Sequence, residues 1–93
     1  MYRELISKAF AYAINQREIE IKEQGEKRYA YMICDRLYHH AEKYLKMFHD
    51  GRCRLYILSD NGNDDCSVRY KGQKYWVDYN YTKKCYEITK CFI

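Results

Sequence analysis

The spacing of apolar residues changes once along this chain, near Gly51, and that change limits the folds it can adopt. Before Gly51, apolar side chains recur three and four residues apart, which places them on one side of an α-helix. After Gly51 they alternate with polar residues, which is typical of strands with one buried face. The sequence therefore predicts a single α+β domain over residues 1–93, with helices in 1–50 and an antiparallel sheet in 52–93.

The helical half is predicted to divide into two helices, over about 2–22 and about 26–49, with a break at Gly25. The Asp50–Gly51 pair is expected to stop the second helix, since glycine commonly follows a helix end. Helices joined by so short a turn fold back as an antiparallel hairpin. The alternative is a single long bent helix. The apolar stripe of the second helix comprises Tyr29 or Ala30, followed by Ile33, Leu37, Ala41, Tyr44, Leu45 and Phe48.

Four short strands are predicted over about 52–59, 66–71, 75–81 and 85–93. Turn residues separate them, in the segment 60–65, around Gly72, and at 82–84. Short strands with short connections form an antiparallel meander, in which each strand pairs with the next. We therefore expect a four-stranded meander with the helical hairpin packed on one of its faces.

Alternation assigns the strand residues to two different faces. The face that the helices cover is predicted to hold Cys53, Leu55, Ile57, Val68, Tyr70, Tyr75, Val77, Tyr79, Tyr86, Ile88 and Phe92. The other face, which we call the open face, is predicted to hold Arg54, Tyr56, Leu58, Arg69, Lys71, Trp76, Asp78, Asn80, Glu87 and Thr89. Most of the tyrosines therefore belong to the core, and cations mix with aromatic rings on the open face.

The overall charge is mildly basic, with 17 Lys and Arg against 13 Asp and Glu, a net charge of +4. This balance permits nucleic-acid binding, although dedicated nucleic-acid binders concentrate positive charge more strongly. The five cysteines and the charged N-terminal segment, which lacks the features of a signal peptide, indicate free thiols in a reducing compartment. No apolar run is long enough to span a bilayer, so we expect a cytoplasmic protein.

Residues that could carry catalysis or bind a metal do not form a recognisable pattern. His49 and Cys53 are separated by the predicted helix end, and the neighbouring His39 and His40 point in different directions on a helix. Cys34 faces other residues than these histidines, so no nucleophile is paired with a base. The acidic segment 60–65 is interpreted as a turn. We therefore predict a protein that is not an enzyme and has no cofactor and no bound metal.

The predicted function is that of a small binding protein that occludes a protein target. Arg and aromatic residues are enriched where proteins contact their partners. The predicted partner-binding residues are Arg54, Tyr56, Arg69, Lys71 and Trp76, with a secondary basic face of Arg36, Lys43 and Lys46 on the second helix. In size and composition, and in no residue pattern, the chain is similar to phage and mobile-element inhibitors of bacterial defence nucleases, such as anti-CRISPR proteins. That likeness implies a nucleic-acid-processing enzyme as the target.

Two alternatives use the same surface. The basic and aromatic residues of the open face would also suit a nucleic-acid-binding module, in which bases stack on Tyr56 and Trp76. No RNA-recognition motif or helix-turn-helix spacing accompanies them. The third interpretation is a homodimer in which a second copy closes the open face.

Overall fold

The computed structural model describes residues 2–60 and 63–91. The α-helices are α1 (Arg3–Gln24) and α2 (Asp35–Phe48), and the strands are β1 (Leu55–Asp60), β2 (Asp65–Tyr70), β3 (Gln73–Asn80) and β4 (Cys85–Lys90). The sheet order is β1-β2-β3-β4, and every neighbouring pair is antiparallel. The predicted α+β fold, with two helices and a four-stranded antiparallel meander, is confirmed.

Two of the strand connections have the local chemistry that their turns require. Lys71 and Gly72 link β2 to β3 with φ angles of 51° and 81°, the positive values of a two-residue type I′ turn. In the connection from β3 to β4, the side-chain oxygen of Asn80 accepts hydrogen bonds from the backbone N–H groups of Thr82 and Lys83. These turns fix the register of three strands and therefore decide which side chains share a face.

A β-bulge in β1 shifts the faces of that strand. Ile57 pairs with Val68, but the next partnered residue is Ser59, which pairs with Ser67. The extra residue is Leu58, which is 44% exposed. Simple alternation would place Ser59 on the core side, whereas the bulge brings its hydroxyl within 2.5 Å of the Ser67 hydroxyl.

The core lies between the helices and the predicted covered face of the sheet. Its buried members are Ile6, Ala9, Phe10 and Ala13 of α1, Ile33, Leu37, Ala41 and Leu45 from α2 and the segment before it, and Leu55, Cys66, Val68, Tyr70, Tyr75, Val77 and Tyr86 of the sheet. Cys53, Ile57, Tyr79 and Ile88 are partly buried against this core. Phe92, also predicted for this face, lies outside the described residues.

The segment 26–34, predicted to begin the second helix, is instead an ordered connection. Gly25 does end α1, in the left-handed conformation with φ 66°. The connection is held by tertiary hydrogen bonds: the Ile33 N–H donates to the Asn63 carbonyl over 2.6 Å, and the Tyr86 hydroxyl donates to the Tyr31 carbonyl. Ile33 is buried as its helical spacing suggested, but Tyr29 is 66% exposed. The spacing of apolar residues predicted a helix in this segment, and tertiary contacts override that local preference.

The end of α2 also differs from the predicted glycine stop. Gly51 does not adopt a positive φ angle; among the described glycines only Gly25 and Gly72 do. The Asp50 N–H donates to the Leu45 carbonyl, and the Asp50 carboxylate accepts a hydrogen bond from the Arg52 N–H over 2.9 Å. Asp50 therefore stabilises the turn that follows α2. Within the described residues, neither helix combines the length and the apolar composition needed to cross a membrane.

Candidate functional site

The open face is the side of the sheet that the helices leave uncovered, and the strand register orders its residues into three rows. The first row is Tyr56, Arg69 and Lys74; the second is Ser67, Trp76 and Thr89; the third is Asp65, Asp78 and Glu87. Successive rows are two residues apart along each strand, which is about 7 Å. One end of the open face is therefore basic, the middle is neutral, and the other end is acidic.

Apolar and aromatic surface lies at the basic end and in the middle of the open face. Tyr56 is 52% exposed, and the guanidinium of Arg54 lies 5.8 Å from the centre of its ring. A cation at that distance from a tyrosine face is a favourable contact that orders both side chains. Leu58, the extra residue of the bulge, adds a further exposed apolar side chain.

Trp76 occupies the centre of the open face and is half-buried. It lies opposite Ser67 on β2 and opposite Thr89 on β4. The small Ser67 is only 3% exposed, although it faces away from the helices. Neighbouring side chains therefore already cover this part of the sheet, and the partly exposed indole lies between the charged ends.

Four of the predicted partner-binding residues lie together on the open face, but Lys71 does not. Its ammonium lies 3.1 Å from the Asp50 carboxylate and 5.6 Å from the centre of the Tyr2 ring, both on the helical side of the sheet. The type I′ turn causes this, because the left-handed φ at Lys71 ends the alternation of strand side chains. Lys71 therefore joins the turn to the ends of both helices.

The predicted secondary basic face on α2 is partly neutralised within the molecule. The Arg36 guanidinium donates to Glu20 over 2.6 Å, and the Lys46 ammonium lies 3.8 Å from Glu42. Lys43 is exposed and makes no ion pair with any residue that the structure describes. Less unpaired positive charge is therefore available on this helix than the sequence suggested.

Three carboxylates crowd at the acidic end of the open face. Single oxygens of Asp64, Asp65 and Asp78 all lie within 4.8 Å of one another. Partial desolvation raises the pKa of Asp78 even though the residue as a whole is exposed, and repulsion from Asp64, Asp65 and Glu87 adds to that rise. The acidic end therefore concentrates negative charge, although the Tyr81 hydroxyl donates to Asp64 and the Lys83 ammonium lies 3.7 Å from Glu87.

Asp78→Asn is expected to stabilise the isolated protein and to raise its Tm by about 2 °C at pH 7. The raised pKa of Asp78 means that its ionisation opposes folding, so the gain appears above that pKa and vanishes as the pH falls toward 4. Solvent screening keeps the effect small, because Asp78 is exposed. Thermal unfolding at several pH values, with the exposed Glu23→Gln as control, measures this, and an unchanged or lower Tm at pH 7 contradicts it.

The histidines and cysteines considered for chemistry are dispersed. His40 contacts Glu20, and the Nδ1 atom of His49 lies 3.0 Å from the Tyr70 hydroxyl. The Cys53 thiol donates to Asp50 over 3.4 Å, and burial raises its pKa, which disfavours the thiolate. All five cysteines are free thiols.

Two features of the structure were not predicted from the sequence. The first is a charged cluster between the helices, centred on Arg17, which is only 2% exposed. The sequence contains a signal for this cluster, because Arg17 follows Ala13 by four residues and therefore lies on the apolar side of α1.

The second unpredicted feature is a groove lined by tyrosines where the connection 26–34 meets β3 and the turn that follows it. It depends on that connection being non-helical, which local spacing did not indicate.

No protein-family model matches this chain, and no match to it was found among curated proteins or solved structures.

Proposed function

We propose that this protein is a non-enzymatic binding protein that docks a protein partner on its open face. The observation that supports the proposal best is the order of charges on that face: Arg54 and Arg69 at one end, Asp78 and Glu87 at the other, and Trp76 between them. An aromatic centre with a charged rim is the usual composition of a protein interface. The matching partner surface carries an acidic patch and a basic patch on either side of an apolar depression.

The acidic row argues for a protein and against a nucleic acid as the ligand. A nucleic-acid strand needs cations along its whole path, since each phosphate is negatively charged. On the open face, a strand that crossed Trp76 would pass from the arginines to Asp65, Asp78 and Glu87 within about 14 Å. The nucleic-acid alternative would therefore use only the basic end of the face.

The proposed action is steric. A chain of 93 residues that covers a functional surface of a larger protein blocks access to it without any chemistry of its own. We propose a nucleic-acid-processing enzyme as the partner class, on the likeness of size and composition to small phage inhibitors of bacterial defence. Affinity purification from the native host, with and without nuclease treatment, supplies the candidate partner.

Trp76→Ala is expected to weaken binding of that partner by about 2 kcal/mol, or roughly 30-fold in Kd, since truncation of a central interface tryptophan typically has such an effect. Calorimetric titration of the purified pair measures it. The matched control is Phe48→Ala, which removes an aromatic ring that is 64% exposed on α2, away from the open face. Unchanged affinity of the folded Trp76 variant would remove the open face from the interface.

Salt dependence separates a protein partner from a nucleic acid. Between about 50 and 200 mM salt, a protein contact centred on Trp76 is expected to weaken less than about tenfold, whereas binding to several phosphates would weaken far more. Light scattering at two protein concentrations tests the remaining alternative. A dimer that Trp76→Ala dissociates would show that a second copy occupies the open face.

A further inference from the structure

The tyrosine-lined groove shares no lining residue with the open face, although it adjoins the acidic end of that face, where the Tyr81 hydroxyl donates to Asp64. It has a volume of about 430 Å³ and is formed by the C-terminal part of α1, the connection 26–34, the end of β3 and the turn after it. We call it the tyrosine groove, and its aromatic lining is Tyr29, Tyr31, Tyr79 and Tyr81. Its volume is in the range of small-molecule sites.

Three of these rings form a parallel stack. Tyr31 lies between the other two, with its ring centre 4.4 Å from that of Tyr79 and 5.4 Å from that of Tyr29, at interplanar angles of 14° and 12°. Tyr81 meets the Tyr31 ring edge-on, at 85°. Tyr29 ends the stack and is 66% exposed, so one face of its ring is available to a further planar group.

The stack is held in place before any ligand binds. The Tyr31 carbonyl accepts a hydrogen bond from the buried Tyr86, and the neighbouring Ile33 N–H is bonded to Asn63. The Tyr29 carbonyl accepts a hydrogen bond from the Met32 N–H over 3.1 Å. A planar ligand would therefore meet a surface whose ordering cost has already been met by folding.

The rim of the tyrosine groove is positively charged. Lys22 of α1, Arg28 of the connection and Lys84 of the turn contribute cations from three directions, and Glu18 is the one acidic residue of the lining. None of these cations makes an ion pair with a residue in the described ranges 2–60 and 63–91. Unpaired cations around an aromatic surface fit a ligand that joins a planar ring to several negative oxygens.

We propose that the tyrosine groove binds a nucleotide, with its base stacked on the exposed face of Tyr29 and its phosphates among Lys22, Arg28 and Lys84. The planar ring of a base extends the parallel stack of tyrosine rings, and such stacking does not depend on which base is present. A polyphosphate has enough oxygens to contact cations that come from separate elements. The proposal uses none of the residues of the open face and stands apart from the proposed function.

Equilibrium dialysis with ATP, adenosine and inorganic triphosphate tests the assignment. ATP is expected to bind more tightly than either fragment, because only ATP engages both the rings and the rim. Tyr29→Ala is expected to weaken ATP binding about tenfold or more, and Lys84→Gln several-fold at low salt.

Matched controls separate this site from general electrostatic attraction. Tyr56→Ala removes an exposed tyrosine of the open face, and Lys8→Gln removes an exposed lysine near the opposite end of α1; both should leave ATP binding unchanged within about twofold. Thermal unfolding verifies that each variant is folded. Equal affinity for triphosphate and ATP, equal losses in Tyr29→Ala and Tyr56→Ala, or no saturable ATP binding would each overturn the proposal.

Discussion

Glu20→Gln is expected to destabilise the protein by about 3 kcal/mol, because breaking a buried ion pair leaves its partner charge poorly compensated. The Glu20 carboxylate accepts a hydrogen bond from the buried Arg17 over 2.9 Å and one from Arg36 over 2.6 Å, and it also contacts His40. Among the residues that the structure describes, the variant leaves Arg17 with Glu26 as its one remaining carboxylate partner. Because these residues come from α1, the connection and α2, the variant weakens the contact between the two helices.

Acid should remove the same contribution in the unaltered protein. The hydrogen bond from Arg36, followed by those from His40 and Arg17, lowers the pKa of Glu20 to about 2. The unfolded chain takes up this proton near pH 4.5, so the unfolded state binds more protons between those values. The stabilisation by Glu20 is therefore complete at neutral pH and is lost as the pH falls from about 4.5 toward 2.

Urea unfolding at pH 7, 4.5 and 3 measures both effects. The difference in the free energy of unfolding between the unaltered protein and Glu20→Gln should be largest at pH 7 and should shrink in acid. Glu23→Gln, an exposed position on the same helix, is the matched control and should change the free energy by less than about 0.5 kcal/mol. Equal stability of the two variants at pH 7 would show that the charge of Glu20 contributes nothing to the stability of the fold.

The sequence predicts most of the fold because its two apolar periods are undisturbed where the core forms. Leu37, Ala41 and Leu45 lie on one side of α2, and Val68, Val77 and Tyr86 alternate onto the covered face. Periodicity predicts the burial of these side chains, because it places each set on one side of its helix or strand. The meander follows from its turns, as Gly72 and Asn80 illustrate.

What the sequence does not predict depends on contacts between distant residues. The connection 26–34 is non-helical because Tyr31 and Ile33 bond to Tyr86 and Asn63, which come much later in the chain. Periodicity within a window cannot detect such partners. The tyrosine groove exists only as a result of that connection, so it was not predictable from local pattern.

The open face was predicted with one misplaced cation, for a local reason. Simple alternation carries Lys71 onto the open face, but the turn begins at that residue and directs its ammonium to Asp50. Alternation is correct for the residues that lie outside the turns, and it places on the open face Arg54, Tyr56, Arg69 and Trp76. Predicting the order of charges from the basic to the acidic end requires the strand register, which determines which residues lie opposite each other in the sheet.

The start of β1 depends on a buried carboxylate of α2. Glu42 is 8% exposed, and its Oε2 atom accepts a hydrogen bond from the Leu55 N–H over 2.9 Å. The same oxygen lies 3.3 Å from the Tyr38 hydroxyl, and burial together with the Glu42 charge raises the pKa of Tyr38 to about 12. β1 is an edge strand, so Glu42 satisfies a backbone donor that no neighbouring strand reaches.

Glu42→Ala is expected to lower the free energy of unfolding by about 2–3 kcal/mol, because it leaves the buried Leu55 N–H without an acceptor. Glu42→Gln keeps an acceptor oxygen at this position and should lose about half as much. Amide hydrogen exchange gives a direct readout: the Leu55 amide should be protected in the unaltered protein and should exchange much faster in Glu42→Ala.

This prediction also connects the helical layer to the proposed docking surface. Arg54 and Tyr56 flank Leu55, so a frayed start of β1 would disorder the basic end of the open face while leaving Trp76 on β3 in place. Glu42→Ala should then weaken partner binding several-fold at a temperature where the variant remains folded, although Glu42 itself lies on the other side of the sheet. If the Leu55 amide exchanges at an unchanged rate in a destabilised Glu42→Ala variant, the loss of stability arises in α2 alone. The proposed connection between Glu42 and the open face would then be wrong.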